Sequence, residues 1–363
     1  MKFVLFSDLH LDAPFQWAPA PLGRKLRSAA HQTLAKICSL AKAEQADALL
    51  CAGDLFEAEY VTPDTAEALR NAFSALAPAR VFLAPGNHDW YGPDSLYRRV
   101  NWSSNVHVFD QAHLAPVDLG EGYTLWGAAH CAPANTDNFL KGVRAKRNGI
   151  NLALFHGSER GLLAAQAEDK APHAPFREAD IRAANLQHAF VGHFHHPKES
   201  PLLTYPGSPQ PLRFGEGAGG AVVVQFNDGA IQRRWEDVAT IPFHDIDLDV
   251  SGIPSMQAIR ELVFAKLSGL QGIARLTVHG RLAHAVDLKL DDLRAITCGL
   301  DDLEVRVKDL TLDYDFEAIA AEPTVRGQFV KDVRSSAFPD QEKLRILTVG
   351  LRAFDGRKDL EPI

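Results

Sequence analysis

Short apolar runs of strand length alternate along the first two thirds of the chain with stretches of helical period. Lys2–Phe6 predicts a strand, and the apolar spacing from Leu22 to Glu44 predicts a helix. Ala48–Cys51 and Arg80–Ala84 read as strands on either side of a helix opened by Thr62-Pro63-Asp64, which supplies a capping hydroxyl, a proline suited to the first turn and an early acid. Further strands are expected at Val106–Phe109, Tyr123–Gly127, Asn151–Phe155, His188–Val191 and Leu202–Tyr205. Ala221–Phe226 and Ala230–Trp235 flank Asn227-Asp228-Gly229, a strong hairpin signal. This mixture of βαβ units and late hairpins predicts an α/β sandwich with sheets enclosed by helices.

The pattern changes near Thr240. His244–Val250, Ile273–Val278 and Leu303–Val307 read as strands separated by helices at Pro254–Leu267 and Leu290–Cys298, a small α+β module. Two helical segments between Thr324 and Phe354 are parted by Phe338-Pro339-Asp340. The expected division is therefore residues 1–240, a smaller cap domain at 241–320 limiting access, and a helical segment at 321–363 as a partner-docking element.

Five polar clusters each follow a strand-like run. They are Ser7-Asp8-Leu9-His10-Leu11-Asp12, Gly53-Asp54-Leu55-Phe56, Gly86-Asn87-His88-Asp89, His156-Gly157-Ser158 and Gly192-His193-Phe194-His195-His196. In α/β folds the carboxyl ends of strands converge on one crevice, so five such clusters rich in Asp, Asn and His point to one site. The residue types suit a pair of metals. Two dications about 4 Å apart repel by about 4 kcal/mol in water and about four times that at an effective dielectric near 20, so anionic ligands must lie between them. Asp8 and Asp54 supply charge, while imidazoles and an Asn carbonyl complete coordination without over-neutralising. A set rich in nitrogen and lacking cysteine favours Mn²⁺, with Fe²⁺ or Zn²⁺ as alternatives, over Mg²⁺ or Ca²⁺.

Composition sharpens this picture. The formal net charge of −8 argues against a protein that coats nucleic acid by charge alone. A local positive centre remains compatible with a polyanionic substrate, and the acidity is uneven: 22 basic against 25 acidic residues up to Thr240, then 16 against 21. The four cysteines have no paired spacing, which favours free thiols and a cytoplasmic address. The apolar start is broken at Ser7-Asp8, too early for a signal core, and no stretch has the length of a membrane span.

The clusters, in this order, resemble the signature of calcineurin-like metallophosphoesterases. Ser7–Asp12, Gly53–Phe56 and Tyr205-Pro206-Gly207-Ser208-Pro209-Gln210 further resemble the Mre11/SbcD exonucleases and their bacterial YhaO-like relatives. The resemblance covers Met1 to about Trp235. It implies one metal held by Asp8, His10 and His195, another by Asn87, His156 and His193, and Asp54 between them. It implies that water activated by the metals attacks phosphorus in line, with His88 protonating the leaving oxygen. Asp89 and, alternatively to a capping role, Asp12 would support the ligands from behind. Glu57 departs from the family, where a histidine follows the G-D-[LV]-F motif.

The function implied is a DNA exo- or endonuclease of DNA repair working with a Rad50/SbcC-like ATPase. Family members often form homodimers, for which the sequence shows no interface signature. A phosphodiesterase or phosphatase for nucleotides or other small substrates shares the core motifs and stays open, as does a non-catalytic subunit of an ATPase complex. Ser208 and Arg213 are candidate substrate contacts, Arg213 fitting either a phosphate or a pair with Glu216. Lys141, Arg144, Lys146 and Arg147 form a basic patch, and Arg24, Lys25 and Arg27 another. Phe15 and Trp17 fit either base stacking or core packing. His130 is a further candidate to approach the site. His31, His107, His113, His188, His244, His279 and His284 read as structural or surface side chains.

Overall fold

The computed structural model describes residues 1–146, 148–165, 172–216, 219–227 and 230–356. Arg147 of the basic patch, Asp228 and Gly229 of the expected hairpin turn, part of the Gly-rich run before it, and the end of the C-terminal segment lie outside these. Contacts divide the chain into two compact units, Met1–Pro242 and the remainder from Phe243.

The first unit opens with β1 (Lys2–Phe6), α1 (Ala20–Ala43), β2 (Ala48–Cys51), α2 (Pro63–Ser74), β3 (Arg80–Leu83), α3 (Leu96–Arg99) and β4 (Val106–Val108). It continues with β5 (Ala115–Gly120), β6 (Tyr123–Gly127), β7 (Ile150–His156), α4 (Glu178–Ala183), β8 (His188–Gly192), β9 (Lys198–Glu199), β10 (Leu203–Tyr205), β11 (Ala221–Asn227) and β12 (Ala230–Glu236). These strands form two six-stranded sheets, ordered β12-β11-β1-β2-β3-β4 and β5-β6-β7-β8-β10-β9. The neighbours from β1 to β4 and from β6 through β8 to β10 run parallel. β11 closes antiparallel on β1.

The alternation along each strand explains the packing. Phe3 and Leu5 of β1 enter a core shared with Leu50, Phe82, Leu152, Leu154 and Phe190, which lies between the sheets. Val4 and Phe6 face the other way, against Leu34, Ile37 and Phe73 of the helices. A third cluster behind the second sheet joins Phe155 and Val191 to Ile181 of α4. Burial on both faces is why these strands read as unbroken apolar runs, and each large side chain so placed contributes about 1.5–3 kcal/mol. Thr62 caps α2 by accepting from the Thr65 amide, with Pro63 in the first turn.

Some elements differ from their sequence expectation. β5 gives no apolar run because it is an edge strand, alternately half-buried and exposed, and carries Pro116, which an edge tolerates. The short β9 and the short helices α3 and α4 give too few residues for a period to register. Gln210, fully buried, ties the loop after β10 to its surroundings. Its side-chain carbonyl accepts from the Thr33 hydroxyl and the Thr240 and Ile241 amides, and its amide donates to the Ile241 carbonyl.

The second unit has β13 (Phe243–Asp249), α5 (Met256–Leu267), β14 (Ile273–Ala283), α6 (Leu290–Arg294), β15 (Asp302–Asp313), α7 (Phe316–Ala321), α8 (Val325–Ser335) and α9 (Asp340–Phe354). Its three strands are parallel and consecutive in the sheet. β14 and β15 run well past Val278 and Val307, through a register shift between Val278 and Gly280 that interrupts the alternation on which the shorter expectations rested. Helices α7 to α9 enclose a small core of their own around Ile319, Val330, Leu347 and Leu351.

Candidate metal centre

The carboxyl ends of β1, β2, β3, β7 and β8 meet at one rim, and the polar clusters meet with them. The turns that bring them there are tight. Asp8, His10, Asp54 and His193 all hold positive φ, of 53°, 49°, 52° and 112°. Four non-glycine residues in this sparsely populated region at one site is the pattern of a functionally constrained backbone. Gly53, with φ of 92°, and Gly86 make the close approach feasible. A Cβ on Gly53 would lie 2.7 Å from His156 Nδ1, and one on Gly86 would overlap the Asp54 carboxylate.

Asp54 occupies the middle. Its Oδ2 lies 3.2 Å from His156 Nε2 and 3.8 Å from His10 Nε2. Asp8 Oδ1 lies 3.9 Å from His195 Nε2. Two donor sets with metal-ligating proximity follow: Asp8, His10 and His195, and Asp8, Asp54 and His156. The His193 ring sits 5.3 Å from that of His156, and its amide donates to both Asp8 oxygens at 3.1 Å. The Asn87 side-chain oxygen is buried as well. Asp8 also accepts from the Ser7 hydroxyl.

The donors pass a chemical test for a cation site. His10 Nε2 and Asn87 Oδ1 are buried without a hydrogen-bond partner among the described residues, and His156 Nε2 has only the Asp54 carboxylate, 3.2 Å away. Leaving such atoms unsatisfied costs about 1–3 kcal/mol each, a cost that coordination removes. Meanwhile the other ring nitrogens are engaged. His10 Nδ1 is 2.7 Å from Glu57 Oε1, His156 Nδ1 is 2.9 Å from the Ala52 carbonyl, and His195 Nδ1 is 2.9 Å from Glu216 Oε1. An acceptor on Nδ1 keeps the proton there and turns Nε2 inward as a ligand.

Glu57 is the residue whose part the sequence did not disclose. Its second oxygen lies 2.8 Å from His88 Nδ1, so one carboxylate clamps a candidate ligand and the candidate acid together. These contacts have hydrogen-bond lengths, which makes the grouping of His10, Glu57 and His88 a support for the centre instead of a third ion site. Burial pushes Glu57 up, but the bonds to His10 and His88 outweigh it and hold it at about 2. Burial lowers His88, and the bond to Glu57 with the charges of Asp54 and Glu57 overcomes this to hold it at about 9. Asp54, despite its burial, is held well below the usual carboxylate range by the neighbouring His156. Cations at the centre would oppose the retention of protons on these imidazoles.

Asp89 lies behind the loops. One oxygen accepts from the Gly86 and Asp54 amides, the other from the Leu55 amide and the Tyr97 hydroxyl. Burial, and then the charge of Asp54, raise it to about 6. Of the two readings of Asp12, the bonds select capping: it accepts from Thr65 and Thr62 at the start of α2 and pairs with His31, and it touches no candidate ligand. Ser208, the other candidate substrate contact, has its hydroxyl buried, and its amide donates to the His195 carbonyl. Arg213 is exposed and pairs with Glu216. His130 lies behind His156, bonded at 2.8 Å to its carbonyl, and burial depresses it to about 3. His196 is exposed.

Comparison with known proteins bears on this arrangement. Residues 1–197 match the model of the calcineurin-like phosphoesterase family. The chain is 26% identical over 302 residues to a protein of Bacillus subtilis (strain 168) described as the uncharacterized metallophosphoesterase YhaO, spanning 77% of this chain and 72% of that one. Among solved structures, TT1561 of Thermus thermophilus is similar at 13% identity over 64% of this chain and 98% of its own, with a TM-score of 0.39. A dimetal phosphatase from Danio rerio is similar at 11% identity over 62% of this chain and 93% of its own, with a TM-score of 0.41.

Proposed function

Because this chain belongs to the calcineurin-like phosphoesterase family, we propose that it is a two-metal phosphodiesterase that cuts DNA, serving DNA repair with a Rad50/SbcC-like ATPase. Members of the family bind two divalent metals, and the donor groups suited to them are present here. The observation that carries the reading is the position of Asp54, one carboxylate within 4 Å of imidazole nitrogens from two different strand ends.

Asp8, His10 and His195, with Asn87, His156, His193 and Asp54, would hold two divalent ions, which would supply Lewis-acid chemistry and positive charge for the phosphate oxygens. The chain's own residues do the rest. Glu57 binds Nδ1 of His88 and so directs its Nε2 toward the substrate side, where the ring is 45% exposed. A protonated His88 donates to the leaving oxygen, and the paired carboxylate stabilises that protonated form. Asp89 fixes the turns of Asp54 and Gly86 so that ligand and acid keep their spacing. Two divalent ions beside the carboxylates of Asp8 and Asp54 would leave the centre net positive, which would suit a diester anion.

DNA as substrate is supported by the resemblance of Tyr205–Gln210 and the two acidic motifs to the Mre11/SbcD exonucleases. The ATPase is proposed to dock on α8, α9 and the link between them, where Val325, Phe338, Leu344 and Phe354 expose apolar surface. A cytoplasmic address is proposed from the four free thiols; no described helix is long and apolar enough to cross a membrane. Manganese is the proposed metal, from the nitrogen-rich donor set.

The test is direct. Purified protein with Mn²⁺ should degrade linear and single-stranded DNA, and Asp54→Ala and His88→Ala should each lower the rate by at least about a hundredfold. Hydrolysis confined to small phosphodiesters would displace DNA as the substrate, and full activity of Asp54→Ala would contradict the metal mechanism itself.

A further inference from the structure

Resting on the diesterase reading above, we propose that a cavity beside His88 receives the nucleoside that departs from the scissile phosphate. The Trp90 indole packs against its base, and the Ser95 hydroxyl is its polar contact.

The cavity, of about 620 Å³, lies between the segment that follows β2 and the segment that follows β3. Its apolar wall is made by Val61, Pro63, Ala66, Trp90, Leu96 and Val100. One side starts at Ala58, the residue after Glu57, and the other at Trp90, two residues after His88. The Ala58 amide donates to the His88 carbonyl at 3.0 Å, so the cavity and the loop of the candidate acid are joined at that bond. This neighbourhood decides which part of the substrate is at hand. In an in-line displacement the attacking water and the departing oxygen lie on opposite sides of phosphorus. The acid protonates the oxygen that departs, so the group carrying it lies on the His88 side.

The lining says what that group is. The volume falls within the range of about 300–1,000 Å³ of small-ligand sites, enough for a base and its sugar. The charged residues of the lining are Glu59, Asp94 and Arg99. Arg99 pairs with Asp94 at 3.1 Å, which leaves Glu59 unbalanced. A lining of net negative charge repels a phosphate and accepts the uncharged base and sugar. Trp90 supplies the aromatic surface, on which any base can stack. A Cβ on Gly92 would lie 2.8 Å from Trp90 Nε1, so this glycine lets the indole lie close to the backbone. Ser95 stands at the start of α3 yet makes no capping bond, and its hydroxyl is buried without a hydrogen-bond partner among the described residues. Such a hydroxyl can donate to, or accept from, a base edge or a sugar oxygen.

The experiment follows cleavage, with Mn²⁺, of a single-stranded oligothymidylate and of the same strand with one abasic nucleoside in its middle. Rates are read at the two bonds that flank the abasic position. At one bond the abasic sugar departs, at the other it is retained, and the end that keeps the phosphate shows which is which. In the wild type, loss of the departing base should slow its bond by at least about tenfold, and loss of the retained base by less than about threefold. Trp90→Ala, and Ala66→Phe, which fills the cavity from the start of α2, should each cut the intact strand at least about tenfold more slowly. In both variants the penalty for removing the departing base should shrink to less than about threefold. A merely structural defect would slow every bond in proportion and leave that penalty unchanged, which would overturn the subsite. Equal rates at the two flanking bonds in the wild type would overturn the subsite alone. A wild type that leaves the intact strand uncut would overturn the DNA reading and the subsite together.

Discussion

At the scale of single residues, the centre depends on carboxylates that hold histidines as much as on the ligands themselves. Glu57 accepts from Nδ1 of both His10 and His88, and the rings need an acceptor there if Nε2 of His10 is to face the ligand cluster and Nε2 of His88 the substrate side. Glutamine keeps the size and loses this symmetry, since its amide nitrogen would meet one of the two ring N–H groups. Glu57→Gln is therefore expected to lower kcat or Mn²⁺ affinity by about 10- to 100-fold, with little change in the urea midpoint. Steady-state kinetics beside a metal titration check this, and unchanged values in both would remove Glu57 from the working site. Much of this scale was legible in the sequence: Asp8, His10, Asp54, Asn87, His193 and His195 follow strands and His156 ends one, and the structure brings these strand ends to one rim. Glu57 and Glu216 were not legible in their roles. Their partners lie 47, 31 and 21 positions away, and no local pattern marks a carboxylate that acts through another side chain.

At the scale of elements, legibility followed burial. Strands covered on both faces, such as β1, β2 and β6, announced themselves as apolar runs, while β5 at an edge did not. The pairing of β8 with β10 contains a polar feature with a measurable consequence. His188 is buried, with Nε2 2.9 Å from the Thr204 hydroxyl and Nδ1 3.2 Å from the Pro201 carbonyl. Burial, aided by the charge of Arg233, depresses it from 6.5 to about 3. The unfolded chain then binds a proton that the folded chain does not, in the window between these values. This contribution is complete above about pH 6.5 and is lost as pH falls toward 3, at about 1.4 kcal/mol per pH unit. Between pH 6.5 and 5, urea unfolding of His188→Gln should therefore lose about 2 kcal/mol less stability than the wild type. Parallel losses in the two proteins would show that His188 is not held neutral by the fold.

At the scale of the molecule, the chain couples a rigid two-sheet body to a site whose atoms are arranged for ions. The buried His10 Nε2 and Asn87 Oδ1, with His156 Nε2, would be satisfied in the folded state by metal, and the unfolded chain has no such preformed set. Metal binding should consequently stabilise the whole first unit. Stripping with a chelator should lower the melting temperature, and Mn²⁺ at about a hundred times its dissociation constant should restore about 2.7 kcal/mol. Asp54→Ala should show much less of this response by scanning calorimetry. An equal shift in Asp54→Ala would place the stabilising ions elsewhere.

One aspartate is proposed to lie between two ions at the strand ends. Anomalous diffraction from crystals grown with Mn²⁺ tests it most directly. The expected result is two peaks about 3.5–4 Å apart, both coordinated by Asp54, with His10 and His195 on one ion and His156 and Asn87 on the other. A single peak, or two peaks that do not share Asp54, would contradict it.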